Sequence, residues 1–153
     1  MKRYLFLLLL PLLFATCKEG DNVSPNSELI GRWSLVAQRD TAGAWQPLLP
    51  LVPVVLEFRR DGSVDYLNGN GQPQRGCCQP TQYATKRPEP CPINASCLQV
   101  AFFIDFTDHV LCPNAYCALV RGWTVFHIDD TYLDIYASNG NTLVTGFRYQ
   151  RIR

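Results

Sequence analysis

The chain has 153 residues but only one methionine and two histidines, and none of its seven cysteines forms a C-x-x-C pair. That gap removes the common zinc clasp and the thioredoxin-like redox site, both of which need two thiols at that spacing. His109 and His127 fit no zinc-ligand spacing either, so no metal and no cofactor is expected. G-x-S-x-G is also missing, which removes the nucleophile elbow of the α/β-hydrolases. Each histidine has an aspartate close by in sequence, Asp108 in one case and Asp129 and Asp130 in the other. A base with its orienter still needs a nucleophile to act on. None is marked by a motif, so the chain is read as non-enzymatic. Charge is sparse in pattern as well: the formal net charge is +1, and no like-charged run exceeds two residues. Nothing in that distribution suggests a nucleic acid or an anionic membrane surface as partner.

What is present begins with MKRYLFLLLLPLLFATC. Lys2 and Arg3 make a positive start, and Tyr4 to Phe14 is an apolar run broken only by Pro11. This is a secretory signal, too short for a spanning helix, which needs about 20 apolar residues. Cys17, after the small residues Ala15 and Thr16, resembles the lipobox of bacterial lipoproteins, in which this cysteine is acylated and becomes the mature N-terminus. Phe14 and Thr16 depart from the residues usual there, and an ordinary signal peptide with an incidental cysteine is the other reading. Residues 17–27 lack apolar periodicity and read as a tether. The resemblance implies a lipid-anchored protein of the bacterial outer membrane, facing the periplasm or the surface and touching the membrane only through its N-terminal lipid. The domain itself would be residues 28–153, expected as a monomer.

Without Cys17, six cysteines remain: Cys77, Cys78, Cys91, Cys97, Cys112 and Cys117. An even number in an oxidising compartment argues for three disulfides. CPINASC and CPNAYC, the two similar clasps at 91–97 and 112–117, are then staples and not metal or redox sites.

From Glu28 onward the pattern is that of strands. In the first, Trp33, Leu35 and Ala37 fall on one face. PVVLEF alternates, Asp61-Gly62 turns the chain, and Val64 to Leu67 returns, a β-hairpin signal. QYATKR is a weaker candidate; LQVAFFIDF puts Phe102, Ile104 and Phe106 on one face. ALVRGWTVFHI, TYLDIYA and LVTGFRYQRI follow, the first two joined by a tight turn at Asp129-Asp130. No stretch of helical length shows 3.6-residue periodicity. Seven or eight short strands joined by turns imply an antiparallel sandwich or a closed barrel.

Three features in order then point to a family: Gly31-Arg32-Trp33 in the first strand, the F-x-x-D-G-x-V hairpin from Phe58 to Val64, and the closing Phe147-Arg148-Tyr149-Gln150-Arg151. Together they resemble the lipocalin-like domains of small bacterial lipoproteins. The resemblance implies an antiparallel up-and-down β-barrel of about eight strands, here stapled by disulfides. It also implies that Trp33 packs at the closed end under an arginine of the last strand, Arg151 or, in another register, Arg148. The Cys-rich insert, residues 75–117, departs from that pattern.

In such a barrel the interior is wide enough for side chains or one small ligand. Leu56, Phe58, Phe102, Trp123, Phe126 and Tyr136 are the candidate lining residues, with a solid core as the competing reading. If residues 80–87 and 98–106 are antiparallel neighbours, the loop 88–96 lies at one end, while Cys77, Cys78 and the loop 107–116 share the other. On that condition Cys91 pairs with Cys97, and Cys77 and Cys78 pair with Cys112 and Cys117. The expected function is capture of a small hydrophobic or amphiphilic ligand at the envelope. The alternative is an interaction or inhibitor protein that binds another envelope protein through its stapled loops.

Overall fold

A computed structural model describes residues 26–40, 42–48, 54–89, 99–113, 120–138 and 143–153. Cys17 and the signal and tether segments lie outside the described residues, as do Cys91, Cys97 and Cys117. The described residues form nine strands and no helix. They are β1 Gly31–Arg39, β2 Trp45–Pro47, β3 Val55–Phe58, β4 Val64–Leu67, β5 Pro80–Lys86, β6 Phe102–His109, β7 Gly122–Ile128, β8 Tyr132–Ser138 and β9 Leu143–Ile152. All pairings are antiparallel, in the order β4-β3-β1-β9-β8-β7-β6-β5, with the short β2 laid against β1. β1 and β9 pair from Arg32↔Ile152 to Gln38↔Phe147, which joins the first strand to the last. At the seam, Ser63 bridges Gln82 and the Tyr83 amide donates to the Gly62 carbonyl at 2.8 Å. The fold is an up-and-down antiparallel barrel of eight strands, closed except for a short gap between β4 and β5.

Local chemistry explains the elements. β6 alternates buried and half-buried positions along Phe102, Ile104 and Phe106, the period-2 signature of a strand with one face in a core. β5 carries a bulge-prone register against β6 and two inward residues, Tyr83 and Thr85, so QYATKR is a full strand. In the β3–β4 turn, Asp61 Oδ1 accepts from the Ser63 amide and hydroxyl at 2.9 and 2.6 Å. Gly62 takes φ +81° there, in the left-handed region that costs other residues about 1–2 kcal/mol. In the β7–β8 turn Asp129 accepts from the Thr131 and Tyr132 amides at 2.6 Å each. These two bonds and His127 hold its carboxyl down at about 2.

Two expectations about facing are overturned, one of them by a bulge. The register slips between Leu35 and Ala37, so Leu35 sits opposite the inward Tyr149 while Ala37 sits opposite Arg148. Ala37 therefore faces the outer wall, not the face shared by Trp33 and Leu35. In β7 the inward residues are Trp123 and Val125, so plain alternation turns Phe126 outward, ahead of a slip between Val125 and His127. The Phe126 ring meets Tyr136 edge-on at 4.8 Å, outside the core cluster. Tyr136 is the outward neighbour of the fully buried Ile135. Neither Phe126 nor Tyr136 lines the interior.

On the outer wall these side chains join a run of alternating rings and guanidiniums. Arg148 lies over Trp45 at 4.5 Å and over Tyr132 at 5.1 Å, while Asp134 accepts from it twice at 2.7 Å. Arg39 lies between Trp45 and Tyr136 at 5.8 and 5.7 Å and donates to the Tyr136 hydroxyl and the Gly43 carbonyl. This run pins the β1–β2 hairpin to β8 and β9.

Candidate functional site

The up-and-down path gives the barrel two unlike ends. At one end β1 begins, β9 finishes, and the turns 59–63 and 129–131 lie. At the other lie the connections 68–79 and 110–113.

The first end is sealed. Trp33 and Leu29 are fully buried, and the Trp33 indole N–H donates to the Leu29 carbonyl at 2.8 Å. Arg151 caps the ring, its guanidinium carbon 4.2 Å from the centroid. Arg151 also donates to the Ile30 carbonyl at 2.9 Å and to the Glu28 carbonyl. The glycine of Gly31-Arg32-Trp33 has a physical reason here. At φ +132°, a Cβ on Gly31 would stand 3.0 Å from Arg151 Nη1. Any other residue would be strained at that φ and would push the guanidinium aside by a few tenths of an ångström. Of the two arginines the sequence left open, Arg151 covers Trp33 and Arg148 belongs to the outer wall.

The opposite end is held covalently. Cys77 and Cys112 form a disulfide with Cα atoms 5.5 Å apart, tying the β4–β5 connection to the β6–β7 connection. Cys78 is disulfide-bonded too, so the adjacent cysteines are not bonded to each other. The Cys78 amide donates to the Val110 carbonyl at 2.7 Å, and the Val110 amide to the Gln79 carbonyl at 2.9 Å, which carries strand pairing up to the bridge. His109 Nε2 donates to the Val120 carbonyl at 3.0 Å, and its ring meets Phe106. This histidine closes a backbone gap between β6 and β7.

Between the ends runs one aromatic cluster centred on Trp123. Phe106 meets it edge-on at 5.0 Å, Tyr149 stacks on it at 5.8 Å, and Phe58 reaches it at 6.2 Å. Tyr83 extends the cluster against Phe58 at 5.1 Å. β3 and β7 are four places apart in an eight-strand ring, so the Phe58–Trp123 contact spans the barrel from opposite walls. The waist is filled at that layer.

Burial is graded toward the bridged end. Leu56, Ile104 and Leu133 are fully buried, whereas Leu35, Tyr66, Val120, Ala137 and Phe147 pack on the core yet remain partly exposed. Among the described residues, Ile128, beside the 129–131 turn, is the one partly exposed core residue at the sealed end. The partly exposed set lies around the Trp123–Tyr149 stack, and this face of the core, toward the bridged end, is here termed the cup.

The cup carries polar handles. They include the hydroxyls of the partly exposed Tyr66 and of Tyr149, neither of which is among the buried atoms that lack a hydrogen-bond partner. Burial pushes the Tyr66 phenol up to about 12 and raises Tyr149 further, with Tyr66 close enough to add to the effect. Both are therefore neutral donors at any physiological pH. On the same inner face, Thr85 Oγ1 is buried without a partner. A buried hydroxyl with no partner costs about 1–3 kcal/mol.

Of the six lining candidates, Leu56, Phe58, Phe102 and Trp123 lie in the core cluster, and only Trp123 reaches the floor of the cup. Tyr66, Tyr149 and Thr85 were missed. Their signal was available in the alternation of Val64 with Tyr66 and of Phe147, Tyr149 and Arg151. Two cavities are described, both away from the Trp123–Tyr149 stack's bridged-end face. One, of about 250 Å³, is a groove between β6 and β7 edged by Phe103, Asp105, Arg121 and Thr124. The other, of about 360 Å³, adjoins Glu28, Asp130, Arg151 and Arg153 at the sealed end. Among the described residues no three metal-ligating side chains converge. Compared with family models, curated proteins and solved structures, the chain has no match.

Proposed function

We propose that this is a non-enzymatic binding protein whose cup, at the disulfide-bridged end, holds one small amphiphilic molecule. One observation carries the reading: the partly exposed Leu35, Tyr66, Val120, Ala137 and Phe147 lie around the Trp123–Tyr149 stack, with the partnerless Thr85 hydroxyl on the same inner face. Concave apolar sites with a few convergent polar groups are the usual form of a small-molecule site. The capped Trp33 and the strand order accord with the lipocalin-like resemblance. The filled waist limits the ligand to the space above Trp123, so it is a small molecule and not a long chain threaded through the barrel.

The proposal sets this activity at the bacterial envelope, with Cys17 as the lipid attachment, and the N-terminal motif supports it. Cys17→Ser should then move the protein from the membrane fraction to the soluble one; retention in the membrane would refute the anchor.

The test of the binding reading is native mass spectrometry of the chain secreted into an oxidising periplasm and kept unreduced. A reproducible added mass that leaves on denaturation supports it. A bare chain that also fails to load small aromatic amphiphiles overturns it. The Phe58–Trp123 contact favours a second reading, in which the core is wholly filled and the bridged loops recognise another envelope protein.

A further inference from the structure

We infer that the cavity at the sealed end is a binding site for a small zwitterion, one that joins an ammonium group to a phosphate or carboxylate. This site is independent of the cup. The cavity, of about 360 Å³, is lined by Ser27, Glu28, Asp130, Arg151 and Arg153. That volume falls within the range of small-molecule pockets, about 300–1,000 Å³. The lining holds two guanidiniums, two carboxylates and a hydroxyl, and its formal charges cancel. Among the described residues, none of those four charged groups forms an ion pair. Neighbouring charges at the same end do pair: Glu57 with Arg32 and Arg59 at 2.9 Å each, Asp65 with Arg59 at 2.8 Å, and Asp129 with His127 at 2.9 Å. Opposite charges that stay apart around one cavity leave room between them for a molecule bearing both.

The separation is built into the backbone. The Arg151 guanidinium lies 4.2 Å from the Trp33 ring and donates to the Ile30 and Glu28 carbonyls, so it is held away from either carboxylate. Its Nε is buried without a partner, and its charge meets carbonyl dipoles but no anion. The Arg151 amide donates to the Thr131 carbonyl at 2.8 Å, which fixes the turn carrying Asp130 to β9. On the other side, the Glu28 amide donates to Asn26 Oδ1 and the Leu29 amide to the Asn26 carbonyl, both at 3.0 Å, so Ser27 and Glu28 sit on a closed turn. Three segments far apart in sequence thus hold the charges in place before a ligand arrives, which lowers the ordering cost of binding. The guanidiniums suit a phosphate or carboxylate, and the carboxylates suit an ammonium with its three donors. An ion of one sign is attracted by one pair and repelled by the other; a zwitterion gains from both.

Such zwitterions occur free and as the headgroup of phosphatidylethanolamine. Asn26 follows Cys17 by nine residues, at most about 30 Å of extended chain. On the proposed lipid anchor, a bilayer headgroup is therefore within reach of this end.

The experiment is calorimetric titration of the unreduced protein, at neutral pH and low salt, with glycerophosphoethanolamine and β-alanine. Dimethyl phosphate and ethanolamine serve as the separate halves. At least one zwitterion should bind about tenfold or more tightly than either half, because the second contact becomes intramolecular. Arg153→Gln and Asp130→Asn should each weaken that binding about three- to fivefold, the scale of exposed charge contacts, with the unfolding midpoint unchanged. Glu28→Gln gives the same readout should Asp130→Asn loosen its turn. Flotation of the Cys17→Ser protein with phosphatidylcholine vesicles, with and without phosphatidylethanolamine, separates the sources. Capture only where phosphatidylethanolamine is present assigns the site to a lipid headgroup; binding of the free zwitterion without capture assigns it to a soluble one. Halves that bind as tightly as the zwitterions, affinity unchanged in Arg153→Gln, or no binding of any probe overturns the site.

Discussion

The two ends of this barrel hold their strands together by different means. At the sealed end the work is done by burial: Trp33 is fully buried, Leu29 lies beside it, and Arg151 covers the ring while bonding two carbonyls. At the bridged end the core thins to partly exposed side chains, and a covalent link between Cys77 and Cys112 takes over. The difference is instructive because the strands are the same. Under the proposed binding function the bridged end must stay open and cannot be stabilised by filling it, whereas a disulfide restrains its loops without occupying the interior. Where nothing needs to enter, a tryptophan under an arginine is sufficient.

This contrast can be broken from either side. The largest effect should come from Trp33→Ala at the sealed end. It removes a fully buried ring with an internal hydrogen bond, and should cost about 3–5 kcal/mol in urea unfolding. A cost under about 1 kcal/mol would mean that this end is not the anchor of the fold.

Opening the other end comes next. Cys77→Ser with Cys112→Ser releases a link between residues 35 apart and should cost about 2–4 kcal/mol. The two replacements should differ in kind as well as size. The disulfide variant should lose ligand affinity at modest cost in stability, whereas a mild change at Trp33, such as Trp33→Phe, should lower stability and spare binding.

A smaller change sharpens the sealed end. Arg151→Lys keeps the charge but loses the planar group that stacks on Trp33 and bonds two carbonyls at once. It should cost about 1–2 kcal/mol, read as a lower unfolding midpoint. Arg148→Lys on the outer wall gives the matched comparison, since it too loses a two-point contact, with Asp134.

The smallest effect is a dependence on pH. Asp129 in the sealed-end turn has its carboxyl lowered from 3.8 to about 2 by the Tyr132 and Thr131 amides and by His127. The unfolded chain therefore binds this proton more readily than the folded one. The contribution is complete above the unfolded value, near 3.8, and is lost as pH falls toward about 2. Asp129→Asn should flatten the acid limb of a stability-versus-pH curve in that window and leave the limb above it parallel to the parent. An unchanged acid limb would show that the turn does not bind its proton differently in the two states.

The sequence carried the strand count and the antiparallel class because period-2 alternation in stretches such as Phe102–Phe106 is a local signal. It carried the hairpin at Asp61-Gly62 for the same reason. It did not carry the facing of Ala37, because one extra residue in a bulge exchanges the two faces of a strand, and no residue type marks where the slip occurs; Phe126 and Tyr136 face outward by plain alternation with the buried Val125 and Ile135. β2 was missed for a related reason: three residues, Trp45–Pro47, are too few to show a period. For the candidate site, the sequence supplied Trp123 but not its companions. Tyr66 and Tyr149 are ordinary strand tyrosines until the barrel closes and brings β4 and β9 onto one interior.

The central claim is that a small ligand sits on the Trp123–Tyr149 floor, entering from the bridged end. Isotope-filtered NMR of the unreduced protein with methyl naphthyl ketone tests it most directly, through contacts between ligand protons and assigned side chains. The account predicts contacts to Trp123, Tyr149 and Tyr66 and none to Trp33. Contacts confined to the outer groove at Phe103 and Thr124, or to the sealed end at Glu28 and Arg153, would contradict it.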